Sequence, residues 1–233
     1  MKHGFAVALD WLLPPRCAGC GQLGAVWCAL CAGRAVRIEG SSCPICGLPL
    51  GKERQCGACS ANQYQFVSAR SWAAYRGELR HAILSMKHRR NAALGVAFAK
   101  HLMEAFCGQA WQIDLVIPIP LGARRHRERG FNQAELLARP FAEAAGLQLA
   151  AGVLVRLHET LPQFELSASE RWKNLHGSFL ADPAPLKGKS VLLVDDIMTT
   201  GATLDSAAQA LNKAGARSVY ALTLARALFE GEP

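Results

Sequence analysis

The stretch VLLVDDIMTTGATL, residues 191–204, sets two carboxylates, Asp195 and Asp196, directly after an apolar run. Behind them come Thr199, Thr200, Gly201, Ala202 and Thr203. Adjacent carboxylates accept hydrogen bonds from a vicinal diol such as a ribose 2′,3′-OH pair. Hydroxyls and free backbone N–H groups at a helix start hold a phosphate, because unpaired amides and the helix dipole both favour an anion there. A sugar phosphate with its diol on one side and its phosphate on the other satisfies both. An apolar run ending in Asp-Asp also suits a Walker B strand. However, the only Gly-Lys-Ser, at 188–190, precedes a strand, and the first glycine of a P-loop would fall at Pro183. A response-regulator acid pair has no need of Thr-Thr-Gly-Ala-Thr. An incidental helix cap leaves two neighbouring acids without a partner, which is costly.

A second unusual loop, PIPLGARRHRERGFNQ at 118–133, follows the apolar run IDLVIPIP. It carries Pro120, Leu121, Arg124, Arg125 and Arg129, cations that suit a second anionic group. Diol, terminal phosphate and pyrophosphate together describe phosphoribosyl pyrophosphate.

Eight of the nine cysteines form four Cys-x-x-Cys pairs: Cys17/Cys20, Cys28/Cys31, Cys43/Cys46 and Cys56/Cys59. Two such pairs supply the four thiolates of a tetrahedral zinc site. CAGCGQLGAVWCALC and CPICGLPLGKERQCGAC read as an internal repeat, so the pairing is sequential. One zinc goes to cysteines 17, 20, 28 and 31, and another to 43, 46, 56 and 59. Disulfides disagree with the lack of a secretion signal, a redox pair would not come four times over, and an iron–sulfur cluster, the third alternative, has no further spacing support. Both zincs read as structural, since residues 1–65 lack the apolar content for a core of their own. Cys107, alone in an apolar helical context, is expected in the core.

The elements that must position these groups alternate. Strands are expected at 66–75, 113–120, 190–194 and 218–227, with an extended stretch at 147–157. Helices are expected over 79–106, broken by a basic stretch at 87–91, and over 133–145 and 202–214. This pattern implies an α/β fold, a parallel sheet with helices on both faces, over 66–233, preceded by a small double zinc-ribbon domain over 1–65. Ligands of such sheets collect at strand carboxyl ends, so the loops after Ile119 and Val194 should share one site.

The chain has 233 residues, 51% of them hydrophobic, and a formal charge of +8. No stretch approaches the length of a membrane helix. MKHGFAVALDWLLPP reads as a short amphipathic helix on the body of the protein: Asp10 interrupts it and no cleavage site follows. A cytoplasmic location is expected. The positive excess gathers at Arg70, Arg76, Arg80, Lys87, Arg89 and Arg90, a face suited to a polyanion. Trp27, Tyr64 and Trp72 are the few aromatics offered for base stacking, which supports it weakly.

VLLVDDIMTTGATL resembles the signature of type I phosphoribosyltransferases. Over the whole chain the sequence resembles the ComF family, related to competence protein F and GntX-like proteins. The matching stretches are LLPPRCAGC, the paired Cys-x-x-Cys units, YRGELRHAILSMKHRRN, IPIPLGARRHRERGFNQAELLA and LPQFELSASERWKNLHGSF. The resemblance implies ribose binding by Asp195 and Asp196, and 5′-phosphate binding by Thr199 through Thr203. It implies a pyrophosphate loop from Pro120 through Arg125, with Arg124 and Arg129 the foremost cations. A mobile loop over 158–177 would carry Gln163, Arg171 and Asn174, and magnesium would accompany the pyrophosphate. Lys87 matches the family's basic helix end. Where purine-salvage enzymes carry a third acid this chain has Thr199, so no general base is named. Two functions follow. One is phosphoribosyl transfer to an unidentified acceptor with inversion at C1. The other is a non-catalytic role in DNA uptake, with single-stranded DNA or a helicase as partner and the transferase fold as scaffold.

Overall fold

The computed structural model describes residues 14–61, 64–88, 90–157 and 177–228. Helices α1 (Ala29–Arg34) and α2 (Gly57–Ala61) lie among the cysteines. They are followed by β1 (Ser68–Ala74), α3 (Gly77–His88), α4 (Ala92–Cys107) and β2 (Leu115–Pro118). Next come α5 (Ala123–Arg129), α6 (Gln133–Ala145), β3 (Gln148–Leu149), β4 (Leu154–Arg156) and β5 (Phe179–Ala181). The last elements are β6 (Ser190–Met198), α7 (Ala202–Lys213) and β7 (Ser218–Arg226). One sheet has the order β1-β7-β6-β2-β3, with every pairing parallel. β4 and β5 form a separate antiparallel pair.

Both sheet faces are covered, which is why Ser190 through Val194 are all buried. One face packs Leu204, Ala207, Ala208 and Leu211 of α7 over Val191 and Leu193, together with the cysteines of the second repeat. The other packs Leu79 and Ile83 of α3, Phe98 and Leu102 of α4, and Leu137 and Phe141 of α6, together with Cys17, Trp27 and Cys31. The two cysteine repeats thus sit on opposite faces, and the chain between them wraps the edge strand β1. Ala74 donates its N–H to Val36 O at 2.7 Å, and Ile38 donates to Trp72 O at 3.1 Å, so an otherwise open sheet edge is paired. The cysteine repeats therefore complete the two cores of the sheet instead of enclosing one of their own.

The helices begin and end where local chemistry directs. Asn91 and Asn132 accept at the starts of α4 and α6, and Gly146 closes α6 at φ 66°. Gly95 lets α4 lie against α6: a Cβ there would stand 2.2 Å from Leu136 O.

Several expectations change. β6 runs to Met198 because β7 offers it a partner as far as Arg226, so both carboxylates lie within the strand. The stretch expected as a loop after Pro120 contains α5. Residues 147–157 split into β3 and β4. Cys107 is exposed at the end of α4, not buried in the core. The amphipathic segment at the start, and Gln163, Arg171 and Asn174, lie outside the described residues. No helix among the described residues is long and apolar enough to cross a membrane.

Candidate functional site

β2 and β6 are adjacent and parallel, with Pro118 opposite Val194. Their following loops therefore leave the same end of the sheet. From β2 the chain passes through α5 and α6 to β3 on one side; from β6 it passes through α7 to β7 on the other. The gap between β2 and β6 is thus the switch point at which open α/β sheets bind ligands.

Asp196 is buried, 4% exposed, and Lys87 Nζ from the last turn of α3 stands 3.1 Å from its Oδ2. That oxygen has no hydrogen-bond partner of good geometry among the described residues, so the contact is a charge pair. Asp195 is half-buried, and its Oδ1 accepts the Asp196 N–H at 2.8 Å. Burial first, and the Asp196 charge next, hold the Asp195 carboxyl well above the usual carboxylate range. A carboxylate beside a carboxyl that is reluctant to ionise offers both acceptors and a donor to sugar hydroxyls.

Gly201, at φ 82°, turns the chain from β6 into α7. A Cβ there would stand 2.7 Å from Met198 Cε and 3.1 Å from Tyr64 Cε1. Thr199, Thr200 and Thr203 are half-buried, and Gly201 and Ala202 buried, which gathers the five expected phosphate-loop residues around the first turn of α7. Tyr64 clamps this loop by donating its hydroxyl to Thr200 O at 3.0 Å.

On the β2 side, Pro120 and Leu121 form the loop and α5 carries the arginines. Arg129 is half-buried, donates to Gln133 Oε1 at 3.0 Å, and lies within the field of Asp196. Arg124 points outward, paired with Glu128 at 3.1 Å with its side chain 66% exposed. Arg125 is half-buried. Of the two foremost cations, Arg129 is the one that shares the neighbourhood of the acid pair.

The expected basic face is smaller than its residue count. Arg70 turns inward to Pro44 O and Ala69 O, and Lys87 faces Asp196, which leaves Arg76, Arg80 and Arg90 exposed; Arg89 lies outside the described residues. Trp27 and Trp72 are buried and unavailable for base stacking. Trp27 Nε1 instead donates to His101 Nε2 at 3.1 Å. His101 Nδ1 lies 3.3 Å from Glu104 Oε1, and Trp72 Nε1 donates to Glu104 Oε2 at 2.8 Å. Burial lowers the His101 pKa. A neutral imidazole accepting from Trp27 and donating to Glu104 completes this network.

The eight cysteines gather as the repeat expects, Cys17, Cys20, Cys28 and Cys31 in one group and Cys43, Cys46, Cys56 and Cys59 in the other, with sulfurs within 4.8 Å of one another. A zinc tetrahedron with Zn–S near 2.3 Å has edges of about 3.8 Å. The Sγ separations fit: Cys17–Cys31 is 3.7 Å, Cys20–Cys28 is 3.8 Å and Cys46–Cys56 is 3.6 Å. Burial pushes the Cys46 thiol up to about 11, against the pull of Arg226, so metal uptake there must release protons.

Residues 93–228 match the phosphoribosyl transferase domain, and residues 8–60 match the double zinc ribbon domain, whose structural zincs the two cysteine groups serve. Fold and matches together define a phosphoribosyltransferase-like protein that carries two zinc ribbons. The chain is 34% identical over 207 residues to DNA utilization protein YhgH of Salmonella typhi, covering 86% of this chain and 90% of that protein. It is 30% identical over 225 residues to competence protein F of Haemophilus influenzae, covering 91% of this chain and 97% of that one. It belongs to the ComF family. Among solved structures it is similar to the glutamine phosphoribosylpyrophosphate amidotransferase from B. subtilis, 23% identical with a TM-score of 0.39, over 55% of this chain and 25% of that one.

Lys87 opposite Asp196, the Tyr64 clamp and α5 all escape local sequence patterns. Lys87 alone left a trace, as a basic residue at a helix end.

Proposed function

We propose that the chain binds phosphoribosyl pyrophosphate as its magnesium complex at the ends of β2 and β6, in the service of DNA uptake or the use of internalised DNA. The observation that carries this is the pair Asp195–Asp196 near the carboxyl end of β6, with Asp196 three residues ahead of the Thr199–Thr203 loop that opens α7 through left-handed Gly201. Asp195 and Asp196 receive the ribose hydroxyls, and the amides and hydroxyls of Thr199, Thr200, Gly201, Ala202 and Thr203 take the 5′-phosphate. Pro120, Leu121, Arg124, Arg125 and Arg129 face the pyrophosphate, and Arg124 must leave Glu128 to do so. Gln163, Arg171 and Asn174, which lie outside the described residues, complete the proposed set of ligand contacts. Magnesium, when bound with the ligand, neutralises the pyrophosphate leaving group.

The ribbon module spans residues 1–65 and the transferase-like module 66–233. Eight zinc-binding thiols and a phosphoribosyl pyrophosphate ligand suit the cytoplasm. The DNA link rests on the relatives' names, DNA utilization protein and competence protein F.

Two facts favour binding without turnover as a second reading. Lys87 already partners Asp196, and Thr199 has no ionisable group for an acceptor's proton. In that case the fold serves as a scaffold, with single-stranded DNA or a helicase as partner. Salt-sensitive DNA binding that survives Asp195→Asn belongs to this second reading, and product formation that requires Asp196 belongs to the first.

Thermal unfolding with ribose 5-phosphate, which carries the diol and the phosphate only, tests the β6 side of the site. The wild type should gain stability with ligand and Asp195→Asn/Asp196→Asn should not. An equal gain in both proteins would contradict the assignment.

A further inference from the structure

We propose that Arg226 is a positioning residue through which the second zinc site holds the phosphate loop in shape. Its consequence for ligand affinity rests on the binding reading above; the structural coupling does not.

Zinc with four thiolates carries a net charge of −2. At the first site Cys20 is exposed and Cys28 half-buried, so water screens that charge. At the second site all four cysteines are buried, and a buried charge needs a counter-ion. Arg226, at the end of β7 and itself 6% exposed, supplies one. Its Nη2 lies 3.6 Å from Cys46 Sγ, and its Nη1 donates to Cys46 O at 2.8 Å.

The same Nη1 lies 3.0 Å from Met198 Sδ. Met198 ends β6 directly opposite Arg226, and Ala227 N donates to Met198 O at 2.9 Å. The Met198 methyl group in turn fills the space where a Gly201 side chain would stand. One guanidinium therefore spans a zinc ligand and the floor of the loop. Arg70 also faces the second site and reaches Cys43 O at 3.5 Å, but its other bonds go to Pro44 O, Ala69 O and Ser68 Oγ, which fastens the ribbon to β1 and not to the loop. Arg226 Nε is buried with no hydrogen-bond partner among the described residues, a cost borne beside the candidate site. A lysine keeps the charge but loses the planar fork that reaches both neighbours.

Hydrogen exchange by mass spectrometry on the zinc-loaded full chain reads this coupling without any ligand. Arg226→Lys should keep two zincs per chain while amides of residues 199–203 exchange about tenfold faster, with α3 and α4 unchanged. Met198→Leu, which leaves Arg226 and Cys46 in place, should loosen the same residues with zinc still at two. Wild-type exchange at 199–203 in either variant would overturn the proposal, and so would a uniform acceleration across the sheet. With ligand, Arg226→Lys should weaken ribose 5-phosphate about tenfold and leave inorganic pyrophosphate unchanged. If the wild type binds neither, the binding reading fails while the exchange result still decides the coupling.

Discussion

Lys87 Nζ, at the C-terminal end of α3, lies 3.1 Å from Oδ2 of Asp196, two residues before β6 ends at Met198. The side chains are 22% and 6% exposed, so this pair lies largely out of water, and each charge depends on the other. The helix C-terminus favours a cation at that position. The pair brings a basic helix end, which could have been a solvated face, into the candidate site.

Lys87→Met should therefore destabilise the protein by about 2–4 kcal/mol, because it strands a buried carboxylate. Denaturant unfolding of Lys87→Met, Asp196→Asn and the double variant measures the coupling. The double variant should be more stable than the sum of the single losses implies. Additive losses would mean that the pair carries no interaction.

Asp195 gives the opposite sign. Its carboxyl is held well above the unperturbed 3.8, by burial first and the Asp196 charge next. The folded state therefore keeps this proton at pH values where the unfolded chain has released it. Stability contributed by this group falls as pH rises from about 4 through the raised pKa. Asp195→Asn should be more stable than wild type at pH 7, with the difference shrinking toward pH 4. Thermal unfolding across that range checks it, and a variant less stable at pH 7 contradicts it.

Gly201→Ala should cost about 1–2 kcal/mol, because φ is 82° and the new methyl meets Met198 Cε and Tyr64. Equilibrium unfolding reads that loss. Phosphate-bearing ligands should weaken in the same variant.

Metal analysis should find two zincs per chain. A chelator should remove them in two phases, the fast one from Cys17, Cys20, Cys28 and Cys31, where Cys20 is exposed, and the slow one from the buried second group. Loss of the second zinc should loosen β1, since Ala69 N donates to Ile45 O beside Cys46. A single phase would show that exposure does not govern release.

The parts legible in the sequence were those with local signatures. The apolar run before Asp195 shows a covered strand, Gly201 marks the turn into α7, Gly146 closes α6, and the Cys-x-x-Cys spacing sorts the cysteines. α5 was hidden because none of its residues is buried, so ARRHRER has no apolar period to read. β6 was read four residues short because its carboxylates break the apolar pattern while the ladder to β7 continues. Tyr64 with Thr200 and Arg226 with Cys46 are contacts across 136 and 180 residues, which no local pattern encodes. Trp27 and Trp72 are buried because the ribbon repeats share the cores of the sheet, an arrangement set by tertiary packing alone.

The measurement that bears most directly on the site is calorimetric titration of magnesium phosphoribosyl pyrophosphate into the zinc-loaded chain, beside the Asp195→Asn/Asp196→Asn variant. One binding event per chain in the wild type, absent from the variant, is the expected result. Heat of the same size in both proteins, or none in the wild type, would contradict the placement of this ligand at the end of β6.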